Sequence, residues 1–347
     1  MRIESTTVGN VRCICLDAAM VVEALFGDSK FVVENPVSRS MADVLEQLHE
    51  EEAIAQERAE LAEFYSSVRT RAERIDNLES RQKVIKELYE VFFQRAFPKA
   101  ADRLGIVYTP TEIIDFMLKS VNQALSDEFN TKLGANNVHI LDPFTGTGTF
   151  LVKLLSLMDK RDLQHTYNEF LHANEIVLLA YYIAAINIEQ TYHTLMGEDR
   201  YEPFPGIVLT DTFQLGEDDS GLIPEFLRPN SERAQRQKKL PITVIVGNPP
   251  YSVGQGSEND NNKNLKYKNL DDKIRTTYAA NSNATLKNSL YDSYIRAFRW
   301  ASDRIGDKGV VCFVTNGAFI DSASADGFRK ALAKDNIYMY LTGILSY

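Results

Sequence analysis

Cysteine is almost missing from this sequence, which contains only Cys13, Cys15 and Cys312. Cys13 and Cys15 have neither a matching second pair nor nearby histidines, so no zinc site is expected and a reducing compartment suffices. No run of about 18 uninterrupted apolar residues occurs, so the chain offers no candidate membrane-spanning segment. The opening MRIESTTVGNVRC lacks the basic-then-apolar build of a signal peptide. A cytoplasmic protein is the default expectation. Positive charge is also short: 38 Lys and Arg face 48 Asp and Glu, for a net charge of −10. That disfavours a chain whose whole surface wraps nucleic acid. Local basic groups remain at Arg233, Arg236, Lys238 and Lys239, and at Lys263, Lys266, Lys268, Lys273 and Arg275. Charge alone leaves two solvated loops as good a reading of them as a binding face. No Gly-Lys-Ser/Thr phosphate loop, nuclease motif, internal repeat or extended low-complexity tract is found.

What is present is ordinary for a soluble globular protein: 347 residues, 44% of them hydrophobic and 25% charged. That length accommodates one large domain and a smaller one. Residues 1–37 resist assignment. From Ser40 apolar residues recur at helical spacing, first as Met41, Val44, Leu45 and Leu48. Leu61, Phe64, Tyr65 and Val68 form a second stripe, and Val84, Leu88, Val91 and Phe92 a third, closed by Pro98. Residues 38–105 therefore read as a helical module with nothing catalytic in it.

After Gly105 the pattern becomes α/β. YTPTEIIDFMLKSVNQAL predicts a helix with Thr109 as N-cap, Pro110 at its first position and Glu112 closing a capping box. Strands are expected at VHIL, FLHANE, GIVLTD, ITVIVGN and GVVCFVTN, with helices between them. This alternation implies a mostly parallel sheet covered on both faces. The polar segment 254–288 reads as the longest loop.

Ligands of open α/β sheets bind beyond the carboxyl ends of the strands. There the sequence places Asp142-Pro143-Phe144-Thr145-Gly146-Thr147-Gly148, then Glu175, then Asp211-Thr212-Phe213. Gly146 and Gly148 permit close backbone approach to a ligand, though a lone G-x-G is equally a plain strand-to-helix turn. Leu151 stands where a dinucleotide fingerprint would carry its third glycine, and Asp142 would repel a pyrophosphate. Glu175 suits a ribose diol, and it also suits a plain helix N-terminus. Asp211 beside Phe213 offers an acceptor and an aromatic wall for an adenine. Taken together, three acids at successive strand ends outline a site for a nucleoside with a cationic tail, such as S-adenosylmethionine.

The fourth strand, VIVG, runs into Asn248-Pro249-Pro250-Tyr251. Neither proline can donate to a sheet ladder, so the strand ends by aiming an amide, a rigid backbone and a tyrosine at one place. YTPTE, DPFTGTGTF, the two acids and NPPY follow one another in the order of the gamma group of adenine-specific DNA amino-methyltransferases, which residues 106–335 resemble. The stretch RQKVIKELYEVFFQRAFPKAADRLGIVYTPTEII is similar to the coupler that precedes the methyltransferase in type ISP restriction–modification enzymes.

The resemblance implies a Rossmann-like fold for residues 106–347, preceded by the helical coupler-like module. It implies S-adenosylmethionine as cofactor, held by Tyr108, Thr109, Asp142, Phe144, Thr145, Gly146, Gly148, Glu175, Asp211 and Phe213. It implies that Asn248 and Pro249 accept hydrogen bonds from the N6 amine of an adenine flipped out of duplex DNA, with Pro250 fixing the backbone and Tyr251 stacking on the base. No metal is needed, because the sulfonium methyl is already activated. Trp300 reads as core, while Phe319 and Asp321 border the site at most. The nuclease, helicase and target-recognition parts of that family have no counterpart here, so the chain is expected to be a piece of a longer enzyme. Two alternatives stay open: a protein glutamine methyltransferase, whose amide substrate poses the same chemical problem, and a non-catalytic cofactor- or DNA-binding remnant.

Overall fold

The computed structural model describes residues 109–197, 202–217, 228–251 and 267–334. The expected helical module and Tyr108 lie outside them. Five strands form one sheet: β1 (His139–Asp142), β2 (Leu171–Glu175), β3 (Ile207–Leu209), β4 (Ile242–Gly247) and β5 (Val310–Phe313). Every pairing is parallel, in the spatial order β3-β2-β1-β4-β5. The chain therefore starts in the middle of the sheet, moves to one edge, and returns to build the other half. A reversal of that kind opens a crevice beside the first strand.

The helices are α1 (Thr111–Phe129), α2 (Thr149–Leu157), α3 (Lys160–His165), α4 (Leu178–Met196), α5 (Arg228–Lys238), α6 (Lys268–Ile274), α7 (Ser293–Ile305), α8 (Ala318–Asp321) and α9 (Asp326–Lys334). Successive strand residues serve opposite faces. Ile140, Val244 and Val246 pack with Ile114 of α1, Leu151 of α2 and Tyr181 of α4. Leu141, Ile242 and Ile245 pack with Leu270 of α6 and Ala297 and Trp300 of α7. Both faces are covered, and that is why the strands read as continuous apolar runs. Among the described residues, no helix is long and apolar enough to cross a membrane.

Three local expectations need correction. Thr109 is not the cap of α1: the cap position is Pro110, and no side chain bonds there. The carbonyl of Pro110 accepts from Ile113 and Ile114 N–H instead, and the Thr109 hydroxyl is free for another use. The segment 254–288 is not one loop, because α6 continues through a wider π turn at Arg275–Ala279. Its buried Leu270, Ile274 and Tyr278 recur every four residues, a stripe concealed by the polar residues around it. Among the described basic residues, Arg233, Arg236 and Lys238 sit on α5, Lys268 and Lys273 on α6 and Arg275 on its π turn, whereas Lys239 is in the turn after α5 and Lys263 and Lys266 lie outside the described residues. Arg233 of α5 donates to the Tyr181 hydroxyl at 3.2 Å, and Lys273 of α6 pairs with Asp303 at 2.8 Å.

The short edge strand β3 is closed by a side chain from α5. Asn230 Oδ1 accepts from Leu209 N–H at 2.9 Å, and its Nδ2 donates to Leu209 O at 2.8 Å. The amide thus substitutes for a neighbouring strand. Asn230→Ala should lower stability by about 1–3 kcal/mol, since a half-buried backbone pair loses both partners. A lower urea midpoint at constant m would show this. An unchanged midpoint would mean that water replaces the amide.

Candidate active site

Because all strands are parallel, their carboxyl ends lie along one side of the sheet. The turn after β1 is held there by its neighbours. Asp142 is fully buried; its Oδ1 accepts from Phe144 N–H at 3.1 Å, while its Oδ2 has no protein partner. Gly247 of β4 lies against this carboxylate, and a Cβ there would come within 2.7 Å of Asp142 Oδ1. Thr145 donates its hydroxyl to Asp142 O at 2.9 Å and its N–H to Asn174 O at 3.0 Å. Gly146 has φ +55 and open space where a Cβ would stand. Gly148 caps α2 at φ +84, with its missing Cβ 3.1 Å from Ala184 Cα. A side chain at Gly148 would be both strained and crowded.

Glu175 straps this turn to β2. Its Oε2 accepts from Gly146 N–H at 2.7 Å and its Oε1 from Val177 N–H at 2.7 Å. Each carboxylate oxygen still has a lone pair to offer. Asp211 joins from beyond β3. Its Oδ1 accepts from Phe213 N–H at 2.9 Å, and its Oδ2 accepts from the Tyr267 hydroxyl at 2.8 Å. The Thr212 hydroxyl donates to Pro143 O at 2.5 Å, and the rings of Phe144 and Phe213 lie 5.4 Å apart. Asp142, Glu175 and Asp211 are therefore tied into one constellation around the turn. Asp142 forms its closed floor.

Burial pushes Asp142 from 3.8 up to about 8, with the Glu175 charge adding to the rise and the Phe144 N–H opposing it. Burial likewise pushes Glu175 from 4.5 up to about 7, against the pull of backbone N–H groups at Val177, Gly146 and Ile176. Both acids hold protons more tightly folded than unfolded, so their stabilisation is complete at low pH and is lost as pH rises through their folded values. His172, which accepts or donates at 2.9 Å to His139 across β1 and β2, runs the other way. Burial lowers it from 6.5 to about 3, so it costs stability only as pH falls below about 6.5. The ligand-free protein should therefore melt at falling temperatures from about pH 6.5 to 8, where only the carboxyls act. Asp142→Asn should flatten that slope in a calorimetric pH series. A flat profile in the unmodified chain would sink the assignment.

At the end of β4, Asn248 donates through Nδ2 to the Thr109 hydroxyl at 3.1 Å. The Tyr251 hydroxyl reaches two acceptors, Asn248 Oδ1 at 2.8 Å and Val314 O just beyond β5 at 2.7 Å. One proton is shared between them. Pro249 is buried, while Asn248, Pro250 and Tyr251 are half-buried. The Tyr251 ring packs against a separate apolar cluster that includes Ile274, Leu290, Phe319 and Phe328, 6.3 Å from the ring of Tyr294. Burial pushes its hydroxyl up to about 12, aided by the charge of Asp292. Trp300 is buried beside Phe213 in the core, and Phe319 is buried in the cluster that supports Tyr251. Tyr267 and Val314 escaped sequence reasoning, and Thr212 was placed at its strand end without a role of its own. Their roles depend on hydrogen bonds across the fold, and no local periodicity marks them.

A five-stranded parallel sheet, helices on both faces and this crevice define a Rossmann-like methyltransferase fold. Residues 80–340 match the N-6 DNA methylase family, and the chain belongs to it. Residues 17–80 match the coupler domain of type ISP restriction–modification enzymes. Among solved structures, a DrdV–DNA complex is similar at 40% identity and TM-score 0.86, covering 93% of this chain and 31% of that one. A nuclease-deletion mutant of the type ISP enzyme LlaGI, in complex with a DNA substrate mimic, matches at 47% identity and TM-score 0.84 over 92% of this chain and 26% of that one. The ATP-dependent type ISP enzyme LlaBIII bound to DNA matches at 47% identity and TM-score 0.85, over 92% of this chain and 22% of that one. The chain thus spans under a third of the length of these relatives. Comparison with curated proteins returned no match.

Proposed function

We propose that this chain is the methyltransferase part of a type ISP restriction–modification enzyme, methylating the N6 amine of adenine in DNA with S-adenosylmethionine. Residues 106–347 are read as the methyltransferase domain and 38–105 as its coupler-like module, and the coupler match supports extending that module back to residue 17. The observation that carries this reading is the Thr109–Asn248 bond at the carboxyl end of β4, beside the Asp142–Gly148 turn that packs against Gly247. The coupler match favours DNA over a glutamine side chain as methyl acceptor.

The residues fit the cofactor on their own chemistry. The unpartnered Asp142 Oδ2 is an acceptor in need of a donor, and an ammonium group would also offset the cost of its burial. Gly146 leaves its backbone open to close approach. Glu175 has lone pairs left for a ribose diol, and Asp211 with Phe213 suits the purine. When bound, S-adenosylmethionine supplies a methyl group on a sulfonium, which leaves as the neutral thioether.

The protein must then make a poor nucleophile competent. The lone pair of an exocyclic adenine amine is delocalised into the ring. Asn248 Oδ1 and the Pro249 carbonyl accept its two N–H groups, which localises the lone pair and stabilises the positive charge that develops on nitrogen. The nitrogen gains the methyl, becomes cationic, and then loses one proton to solvent. For Asn248 Oδ1 to serve, the Tyr251 hydroxyl gives up that acceptor and keeps Val314 O, which already lies 2.7 Å away. The ring of Tyr251 is the stacking face for the flipped base, because an adenine inside the duplex is out of reach.

The test is transfer of a labelled methyl group to duplex DNA, by this chain and by a full-length type ISP relative into which residues 109–334 are grafted. Label recovered as N6-methyladenine is the expected result. Label on protein glutamine, or none from the graft despite cofactor binding, would overturn the reading.

A further inference from the structure

Tyr267 is absent from every expectation drawn from the sequence, yet it is anchored on several sides at the rim of the site. It is 8% exposed, and its hydroxyl donates to Asp211 Oδ2 at 2.8 Å. Its ring meets Phe213 edge-on at 5.2 Å. The guanidinium of Arg296 lies over the same ring, 5.6 Å from its centre. Arg296 is itself buried and held by Asp271, through Nε at 2.8 Å and Nη2 at 3.0 Å. Asp271 and Tyr267 belong to one turn, since Asp271 N–H donates to Tyr267 O at 2.7 Å. From the other side, Glu217 accepts from Asn269 and Leu270 N–H at 2.8 and 3.0 Å, which ties the start of α6 to the segment that carries Asp211 and Phe213.

This arrangement settles how Asp211 is presented. One oxygen is held by Phe213 N–H and the other by the Tyr267 hydroxyl, so the carboxylate cannot rotate away without losing a bond. Every partner it has is a donor. Its remaining lone pairs are held in place for a further donor, and an approaching carbonyl oxygen meets only acceptor lone pairs.

We propose that Tyr267 is a positioning residue that fixes Asp211 as a pure hydrogen-bond acceptor, and that it thereby sets selectivity for a 6-aminopurine over a 6-oxopurine nucleoside in the cofactor pocket. The proposal rests on the cofactor reading above. A site built to bond an amine rejects a ligand that lacks it far more strongly than an apolar pocket rejects a change of size.

The probes are S-adenosylhomocysteine and its 6-oxo counterpart S-inosylhomocysteine, titrated calorimetrically into the full chain. The unmodified chain should prefer the amino ligand by at least about 100-fold. Tyr267→Phe removes one oxygen and keeps the ring between Phe213 and Arg296, so folding should persist. It should weaken the amino ligand by about 10-fold, as expected for losing a bond to a charged group, and narrow the preference. In an Asp211→Asn background the same change should have little effect, because the interaction it removes has already gone. A packing role alone would weaken both ligands equally and would persist in that background, which would overturn the proposal. Unchanged selectivity in Tyr267→Phe would overturn it as well. No binding of S-adenosylhomocysteine by the unmodified chain would defeat the cofactor reading first and this proposal with it.

Discussion

Asn248→Ala is expected to lower methyl transfer by about 10²–10³-fold or more, as for removal of one preorganised group that stabilises charge in a transition state. Cofactor affinity should stay within about 3-fold, because the lost oxygen acts on the amine and not on the bound nucleoside. The geometry shows why the fold should tolerate the change. The Tyr251 hydroxyl spans Asn248 Oδ1 and Val314 O, so without Asn248 it retains a full bond to the carbonyl. Thr109 loses one donor, and its hydroxyl can turn to bond elsewhere. Single-turnover transfer with saturating cofactor, beside calorimetry on the same variant, separates chemistry from binding. Transfer that survives in Asn248→Ala would sink the proposed mechanism. A parallel collapse of cofactor affinity would move Asn248 from chemistry to binding.

Glu175→Gln should weaken S-adenosylmethionine by about 10–100-fold, corresponding to about 1.4–2.8 kcal/mol. Two losses combine in this figure. The charge that accepts the ribose diol is removed, and only one side-chain oxygen remains for two backbone donors, Gly146 and Val177. The second N–H then faces an amide that can only donate to it. Loosening of the glycine turn should appear as faster amide exchange at Gly146, even without ligand. Unchanged affinity with an unchanged turn would show that Glu175 is a buried structural acid and no more. Unchanged affinity with a loosened turn would separate its two roles and would still discard the ribose contact.

Several elements were legible because their signals are local. The strands announce themselves as short apolar runs, since helices cover the sheet on both faces. Each chemical residue ends a strand or stands within two positions of its end, so locating Asp142, Glu175, Asp211 and Asn248 required only the ends of those runs. Segment 254–288 was misread because on α6 and its π turn only Leu270, Ile274, Tyr278 and Ala279 are apolar and the remainder are polar. Thr109 was misread for another reason. Its spacing from Glu112 satisfies a capping box, but local spacing cannot report that an amide from far along the chain competes for the hydroxyl.

The sequence by itself determined the order of strands and helices, the parallel class of the sheet and the residues that follow each strand. Burial periodicity and turn chemistry act over a few residues, so they are written where they act. Only the tertiary structure decided the spatial order β3-β2-β1-β4-β5, and with it which strand ends become neighbours. It decided that Thr109 meets Asn248 from 139 residues away and that Tyr267 meets Asp211 from 56 residues away. It decided that Asp142 is sealed under Gly247 and made reluctant to ionise, whereas Glu175 is tied to backbone amides. Such contacts follow from how helices seat on a twisted sheet and close distant segments together, and no pattern within one segment encodes that seating.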